Sequence, residues 1–191
     1  MSRISTRLQE KTPKAVKKIL FDAGSIQRRV RDLADEIERD YQGCDLLLVG
    51  ILKGAWLFAC DLLRALSLPV EIDFIAISRY SPRPPSGEVK IIKDLQEDVT
   101  GKHLLLVEDI VDTGLTLHYL DQVLSSRRPA SLSICTLLDR PDLRLVEIPI
   151  KYVGFLVSHE FLIGYGLDYR DHYRNLPYIA TMHLEEGASP I

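Results

Sequence analysis

The densest chemistry in the sequence is the run Val107-Glu108-Asp109-Ile110-Val111-Asp112-Thr113-Gly114-Leu115-Thr116. It closes an apolar stretch that begins at Leu104 and opens a segment with helical spacing. In sheets of parallel strands, ligands sit beyond the carboxyl ends of the strands, and this placement puts Glu108, Asp109 and Asp112 there. Carboxylates in that position can orient a sugar's hydroxyls or hold a hard cation such as magnesium. The turn into the helix offers N–H groups and a partial positive charge, which suits phosphate. Gly114 permits close backbone approach, and Thr113 and Thr116 add hydroxyl donors. Helix capping explains one of these side chains, but not three carboxylates together at the end of a buried strand. Asp112-Thr113-Gly114 also spells the aspartic-protease signature, but that chemistry needs an all-β template and paired copies, and one copy occurs here. The Gly-x-x-x-x-Gly-Lys-Ser/Thr of a Walker loop is missing.

Two further cations end apolar runs. Lys53-Gly54 follows Leu46–Leu52 and reads as a strand ending in a charge and a tight turn; Arg140 follows Ser131–Leu138. The three cysteines, Cys44, Cys60 and Cys135, show no CxxC or Cys/His spacing, so neither a disulfide framework nor a zinc site is expected. The net charge of −3 and pI near 6.0 supply no global field for nucleic acid or an anionic membrane. The longest apolar zone, Leu46 to Cys60, is broken by Lys53 and Gly54 and is shorter than the ~20 residues of a spanning helix. The start, Met-Ser-Arg-Ile-Ser-Thr-Arg, lacks the apolar core of a signal peptide. A cytoplasmic chain with no membrane or nucleic-acid partner is the expectation.

The elements that must position these groups follow from periodicity. Residues 1–17 are polar and basic and read as a loose arm. Lys18–Phe21 suits a short strand, and Asp22 and Ser25 offer caps for a helix with Ile26, Val30, Leu33 and Ile37 on one face, ended by Gly43. Leu46–Leu52 and His103–Glu108 are too uniformly apolar for surface helices and suit parallel strands covered on both faces. Helices are expected over 55–66 and 116–127, strands over 70–78, 88–93 and 131–138, and loops over 79–87 and 109–115. Strand–helix–strand repeated twice argues for one α/β domain over 1–191, with a mostly parallel sheet flanked by helices. A small hood is expected from about 18–25 and 150–185, and a disordered tail over 186–191.

The motif at Val107–Gly114 resembles the phosphoribosyl pyrophosphate motif of type I phosphoribosyltransferases, and its wording is specifically close to the hypoxanthine/guanine branch. Four other stretches carry the resemblance, which covers about Lys18 to His183: Gly50-Ile-Leu-Lys-Gly54, the 79–87 loop with Gly87–Ile91 and Lys93–Leu95, Thr136-Leu-Leu-Asp-Arg140-Pro141, and Glu160–Tyr169 with Tyr173–Pro177. The resemblance implies the family's core fold and hood. It implies that Lys53, Gly54 and Arg174 bind pyrophosphate, with a cis peptide before the lysine. It makes 79–87, with Arg79 and Tyr80, a lid. Arg140, Phe161, Leu162 and Asp168 would bind the purine, Phe161 by stacking and Leu162 through its backbone, and Glu108, Asp109 and Asp168 would form the magnesium site. Glu108, Asp109, Asp112, Thr113, Gly114, Leu115 and Thr116 would hold phosphoribosyl pyrophosphate, with Asp112 also the general base.

The sequence departs from the family pattern at Arg79, where serine is common, at Arg140, where lysine is usual, and at Ser158-His159-Glu160, where Pro-Asp-Lys is common. The implied reaction moves 5-phosphoribosyl to N9 of hypoxanthine or guanine in a homodimeric or homotetrameric purine-salvage enzyme. Xanthine preference, or a nucleotide-sensing binding protein on the same fold, are the alternatives.

Overall fold

The computed structural model describes Pro13 and residues 16–80 and 88–182. The expected arm before Val16, the tip of the expected lid over 81–87 and the expected tail lie outside these residues, apart from Pro13.

Two strands set the core because their side chains face opposite ways. β2 (Leu46–Leu52) and β5 (His103–Val111) lie side by side and parallel. From β2, Leu46 and Leu48 face one way and Leu47, Val49 and Ile51 the other; from β5, Leu105 and Val107 oppose Leu104 and Leu106. Helix α1 (Ala23–Tyr41) and helix α2 (Trp56–Ala65) cover the first face, and helix α3 (Leu115–Ser125) covers the second. This is why Leu46–Leu52 and Leu104–Val107 carry no polar side chain. Each fully buried leucine contributes roughly 1.5–3 kcal/mol relative to an exposed one.

Around this pair the larger sheet is completed by β3 (Val70–Tyr80), β4 (Glu88–Lys93), β6 (Ser131–Asp139) and β7 (Tyr152–Leu156), in the order β4-β3-β2-β5-β6-β7. Every pairing is parallel except β3 with β4. A second sheet joins β1 (Val16–Phe21), β9 (Ile179–Met182) and β8 (Leu162–Ile163), all antiparallel. The architecture is the expected α/β one.

The local signals acted as read. Asp22 caps α1 with Oδ1 accepting from Ser25 N at 2.7 Å, and Ile26, Val30, Leu33 and Ile37 are buried. Gly43, at φ 77°, follows its end.

Three expectations change. The strand expected to end at Glu108 runs on to Val111, because β6 continues to offer ladder partners as far as Val111↔Asp139. Asp109 therefore projects from a strand, as Glu108 was expected to, instead of lying in a 109–115 loop. The hood is smaller than 18–25 plus 150–185: Tyr152–Leu156 pairs with β6 in the main sheet, and Ala23–Ser25 opens α1. Val16 and Lys17, expected in the arm, begin β1.

Candidate active site

The site begins where β5 hands over to α3. Glu108 is buried, and its Oε1 accepts from Asp109 N at 3.0 Å; Asp109 Oδ1 accepts from Ile110 N at 2.8 Å. Asp109 is half-buried and lines a cavity, and burial raises its carboxyl above the ordinary carboxylate range against the pull of the Glu108 hydrogen bond. Helix α3 starts behind Gly114, which sits left-handed at φ 80°, and no side chain caps it. Asp112 is thus not a cap, and its side chain is released for other work.

The strand ends around it are packed as closely as glycine allows. The Leu52–Lys53 peptide is cis. A Cβ on Gly54 would lie 1.7 Å from Asp109 Oδ2, and one on Gly166 would lie 2.2 Å from the Gly54 carbonyl oxygen. Gly54 therefore packs against both the Asp109 carboxylate and Gly166, and neither glycine has room for a side chain. Arg174 donates to the Gly166 carbonyl at 2.7 Å and pairs with Asp168 at 2.6 Å. Asp171, which has φ 63°, bridges Lys53 at 3.2 Å and Arg174 at 3.2 Å, and these cations hold its carboxyl below the ordinary range, Arg174 first.

Two cavities flank this arrangement. One of about 410 Å³ is lined by Lys53, Gly54, Glu108 to Gly114, Thr116, Asp168 and Arg174, together with Ile51, Leu52, Ile77 and Leu117. It combines cations, a helix start and backbone N–H groups, and so suits phosphates. The other, of about 450 Å³, is lined by Arg140, Phe161, Leu162 and Leu167 to Asp171. It suits a flat heteroaromatic ring: Phe161 stands edge-on to Tyr169 with centroids 5.5 Å apart, and Arg170 lies 5.0 Å over the Tyr169 ring. Asp109, Ile110, Asp112 and Asp168 line both cavities. A ligand with an anionic end and an aromatic end would have its junction against those carboxylates.

The sequence itself assigns most of these residues. Leu115 is the exception: its side chain is exposed and lines neither cavity, and its N–H faces Thr113 Oγ1 at 3.5 Å. Arg79 and Tyr80 end β3, with side chains outside the described residues. Arg140 is mostly buried; Nη1 pairs with Asp112 at 3.1 Å, Nη2 donates to the Glu160 carbonyl at 2.5 Å, and the buried Nε has no acceptor. The Glu160 carboxylate turns instead toward Lys17, 3.9 Å away, and His159 is exposed. Sequence reasoning missed Asp171, Asp139 and Arg144. Asp139 carried a weak signal, a charge at the end of a buried run; the other two depend on turns that only the fold brings round.

The phosphoribosyl transferase domain model matches residues 17–170. The chain belongs to this family. Its relatives on the hypoxanthine/guanine branch include the hypoxanthine-guanine phosphoribosyltransferase of Mycobacterium tuberculosis, 46% identical over 177 residues, covering 89% of this chain and 88% of that one. The hypoxanthine phosphoribosyltransferase of Haemophilus influenzae is 44% identical, covering 88% of this chain and 96% of the other. Among solved structures, a hypoxanthine phosphoribosyltransferase from Staphylococcus aureus superposes with a TM-score of 0.88 at 40% identity, covering 99% of this chain and all 100% of that one. The matched span of this phosphoribosyltransferase contains the β5–α3 motif, the Lys53 turn, Arg140 and Phe161; Arg174 lies just beyond it.

Among the described residues no helix is long and apolar enough to cross a membrane. No group of three or more His, Cys, Asp or Glu side chains converges into a metal cage among them either.

Proposed function

We propose that this phosphoribosyltransferase transfers the 5-phosphoribosyl group of phosphoribosyl pyrophosphate to N9 of hypoxanthine or guanine. The observation that carries the reading is the set of carboxylates common to both cavities, which stands where the sugar must join the phosphate end to the base end.

Each role follows from charge. The 5′-phosphate sits on the turn Asp112 to Thr116, on backbone N–H groups and the hydroxyls of Thr113 and Thr116. Glu108 and Asp109 hold the ribose hydroxyls and stabilise positive charge at C1′ as its bond to pyrophosphate breaks. The bond's electron pair leaves with pyrophosphate, which Lys53 and Arg174 receive after displacing Asp171. Purine N9 forms the new bond while Asp112 accepts the proton the purine loses. Phe161 packs on the base, the Leu162 backbone meets its edge, and Arg140 lies within reach of its exocyclic oxygen.

Magnesium fits this donor set. Glu108, Asp109 and Asp168 offer only oxygen, as hard cations prefer, and magnesium is commonly held by one or two carboxylates plus substrate phosphates, without an all-protein cage. When bound it neutralises charge on the leaving pyrophosphate. Assembly as a homodimer or homotetramer in the cytoplasm completes the reading, on the family's pattern.

Pyrophosphate release, followed with phosphoribosyl pyrophosphate, magnesium and one base at a time, tests the proposal. Release should require all three and occur with hypoxanthine or guanine. Tight nucleotide binding without any release would make the chain a nucleotide-sensing protein instead.

A further inference from the structure

Against the phosphate turn, lining neither cavity, lies a buried ion pair that the reaction as described does not use. Asp139, almost fully buried at the end of β6, pairs with Arg144 Nη2, and Arg144 Nη1 donates to the main-chain carbonyl of Asp112 at 2.7 Å. The same segment takes the next carbonyl: Leu145 N and Val146 N donate to Thr113 O at 3.0 and 3.4 Å. The 3-10 turn Pro141–Leu143 swings Arg144 back to reach Asp112, and Leu143 N closes that turn on Arg140 O at 3.1 Å. Gly114 is backed by the same residues, since a Cβ there would lie 3.1 Å from Arg144 Cδ and 3.2 Å from Val146.

Peptide planarity turns this into a statement about ligand binding. In a trans peptide the carbonyl of one residue and the N–H of the next point in opposite directions. With the carbonyls of Asp112 and Thr113 both held from behind, the N–H groups of Thr113 and Gly114 are aimed forward, toward the cavity those residues line. An arginine fork anchored by a carboxylate can fix one carbonyl in direction as well as position, which a point charge cannot do.

We infer that Arg144, held by Asp139, is a positioning residue that presets the main chain of the phosphate turn, so that it governs affinity for the 5′-phosphate and not the chemical step. The inference rests on the proposed transferase reading. Because the turn holds the phosphate equally before and during the reaction, weakening it should raise KM with little change in kcat.

The test uses the double variant Arg144→Leu/Asp139→Leu, which removes the pair without stranding one buried charge and is of a kind often tolerated by folds. Cooperative thermal unfolding establishes that it folds. Losing the charge-assisted hydrogen bond should raise the KM for phosphoribosyl pyrophosphate about tenfold or more, with kcat within about threefold of wild type. Arg144→Lys, which keeps a charge against Asp139 but has no fork, should also raise KM while leaving the melting temperature near wild type. Wild-type KM in either folded variant, or a loss confined to kcat, would overturn the inference. The same variants titrated with guanosine 5′-monophosphate by calorimetry should show the matching loss of affinity. That titration separates the two failures, since a wild-type chain that makes no nucleotide refutes the transferase reading, whereas unchanged nucleotide affinity in the variants refutes the positioning role alone.

Discussion

Asp112 is where a cap and a catalytic base come apart. Its side chain caps nothing and instead meets Arg140 at 3.1 Å on the wall shared by both cavities. Asp112→Asn keeps shape and hydrogen-bonding capacity but cannot accept the purine's proton, so single-turnover rates should fall by ~10²–10⁴. Affinity for phosphoribosyl pyrophosphate should change little, because the proposed reading gives its phosphate to main-chain groups. Full activity in that variant, with chemistry rate-limiting, would return Asp112 to a structural part. Phe161 makes a separate case: half-buried on the wall of the base cavity, it has a ring face to offer. Phe161→Ala should weaken nucleotide binding by ~1–3 kcal/mol, the size of a base–aromatic contact; calorimetry showing unchanged affinity in the folded variant would make it ordinary packing. Asp112 was legible in the sequence because a third carboxylate is unusual at the end of a buried strand, whereas Phe161 was legible only through the family resemblance. Asp171 and Arg144 were not legible, since a charged residue in a polar stretch looks like any solvated one until a turn carries it to a partner.

At the scale of elements, what the sequence revealed and what it hid divide along locality. The cap at Asp22, the apolar face of α1 and the two-sided burial of β2 and β5 are properties of neighbouring residues, and they are readable from spacing. How far β5 runs, and whether 152–156 joins the hood or the main sheet, are decided by β6, which lies on both sides of the question. Another long-range tie fixes α1 to β7: Asp40 Oδ2 accepts from Tyr152 Oη at 2.7 Å and pairs with Lys151 at 2.9 Å. Lys151 first, then the Tyr152 hydroxyl, hold the Asp40 carboxyl below its ordinary range. A carboxyl whose folded pKa is depressed adds stability above its unfolded pKa, and that stability is lost as pH falls through the folded value. Wild type should therefore melt higher than Asp40→Asn at pH 7, and the gap should close as the pH is lowered from about 4 to about 2. A gap independent of pH would show that the tie acts through shape and not through charge.

For the whole molecule, the fold and the site are one construction. The parallel sheet delivers β2, β5 and β6 with their carboxyl ends together, and the segment from Phe161 to the start of β9 brings Phe161, Asp168 and Arg174 beside them. The motif at 107–116 announced the phosphate end without help from the fold. The proposed base end was less readable, since it departs from the family pattern at Arg140, His159 and Glu160, and the Glu160 carbonyl, not its side chain, braces Arg140. If Arg140 supplies donors there, as proposed, a 6-oxo group is matched, whereas the 6-amino group of adenine would leave donors facing each other at a cost of ~1–3 kcal/mol. The central claim is tested most directly by competition in a single vessel. The wild-type chain is given phosphoribosyl pyrophosphate, magnesium and equal amounts of hypoxanthine, guanine, xanthine and adenine, and the nucleotide products are separated and quantified. The monophosphates of hypoxanthine and guanine should account for most of the product, with adenosine monophosphate at least about tenfold lower. Adenosine monophosphate forming as fast as the 6-oxopurine products, or no nucleotide forming at all, would contradict the account.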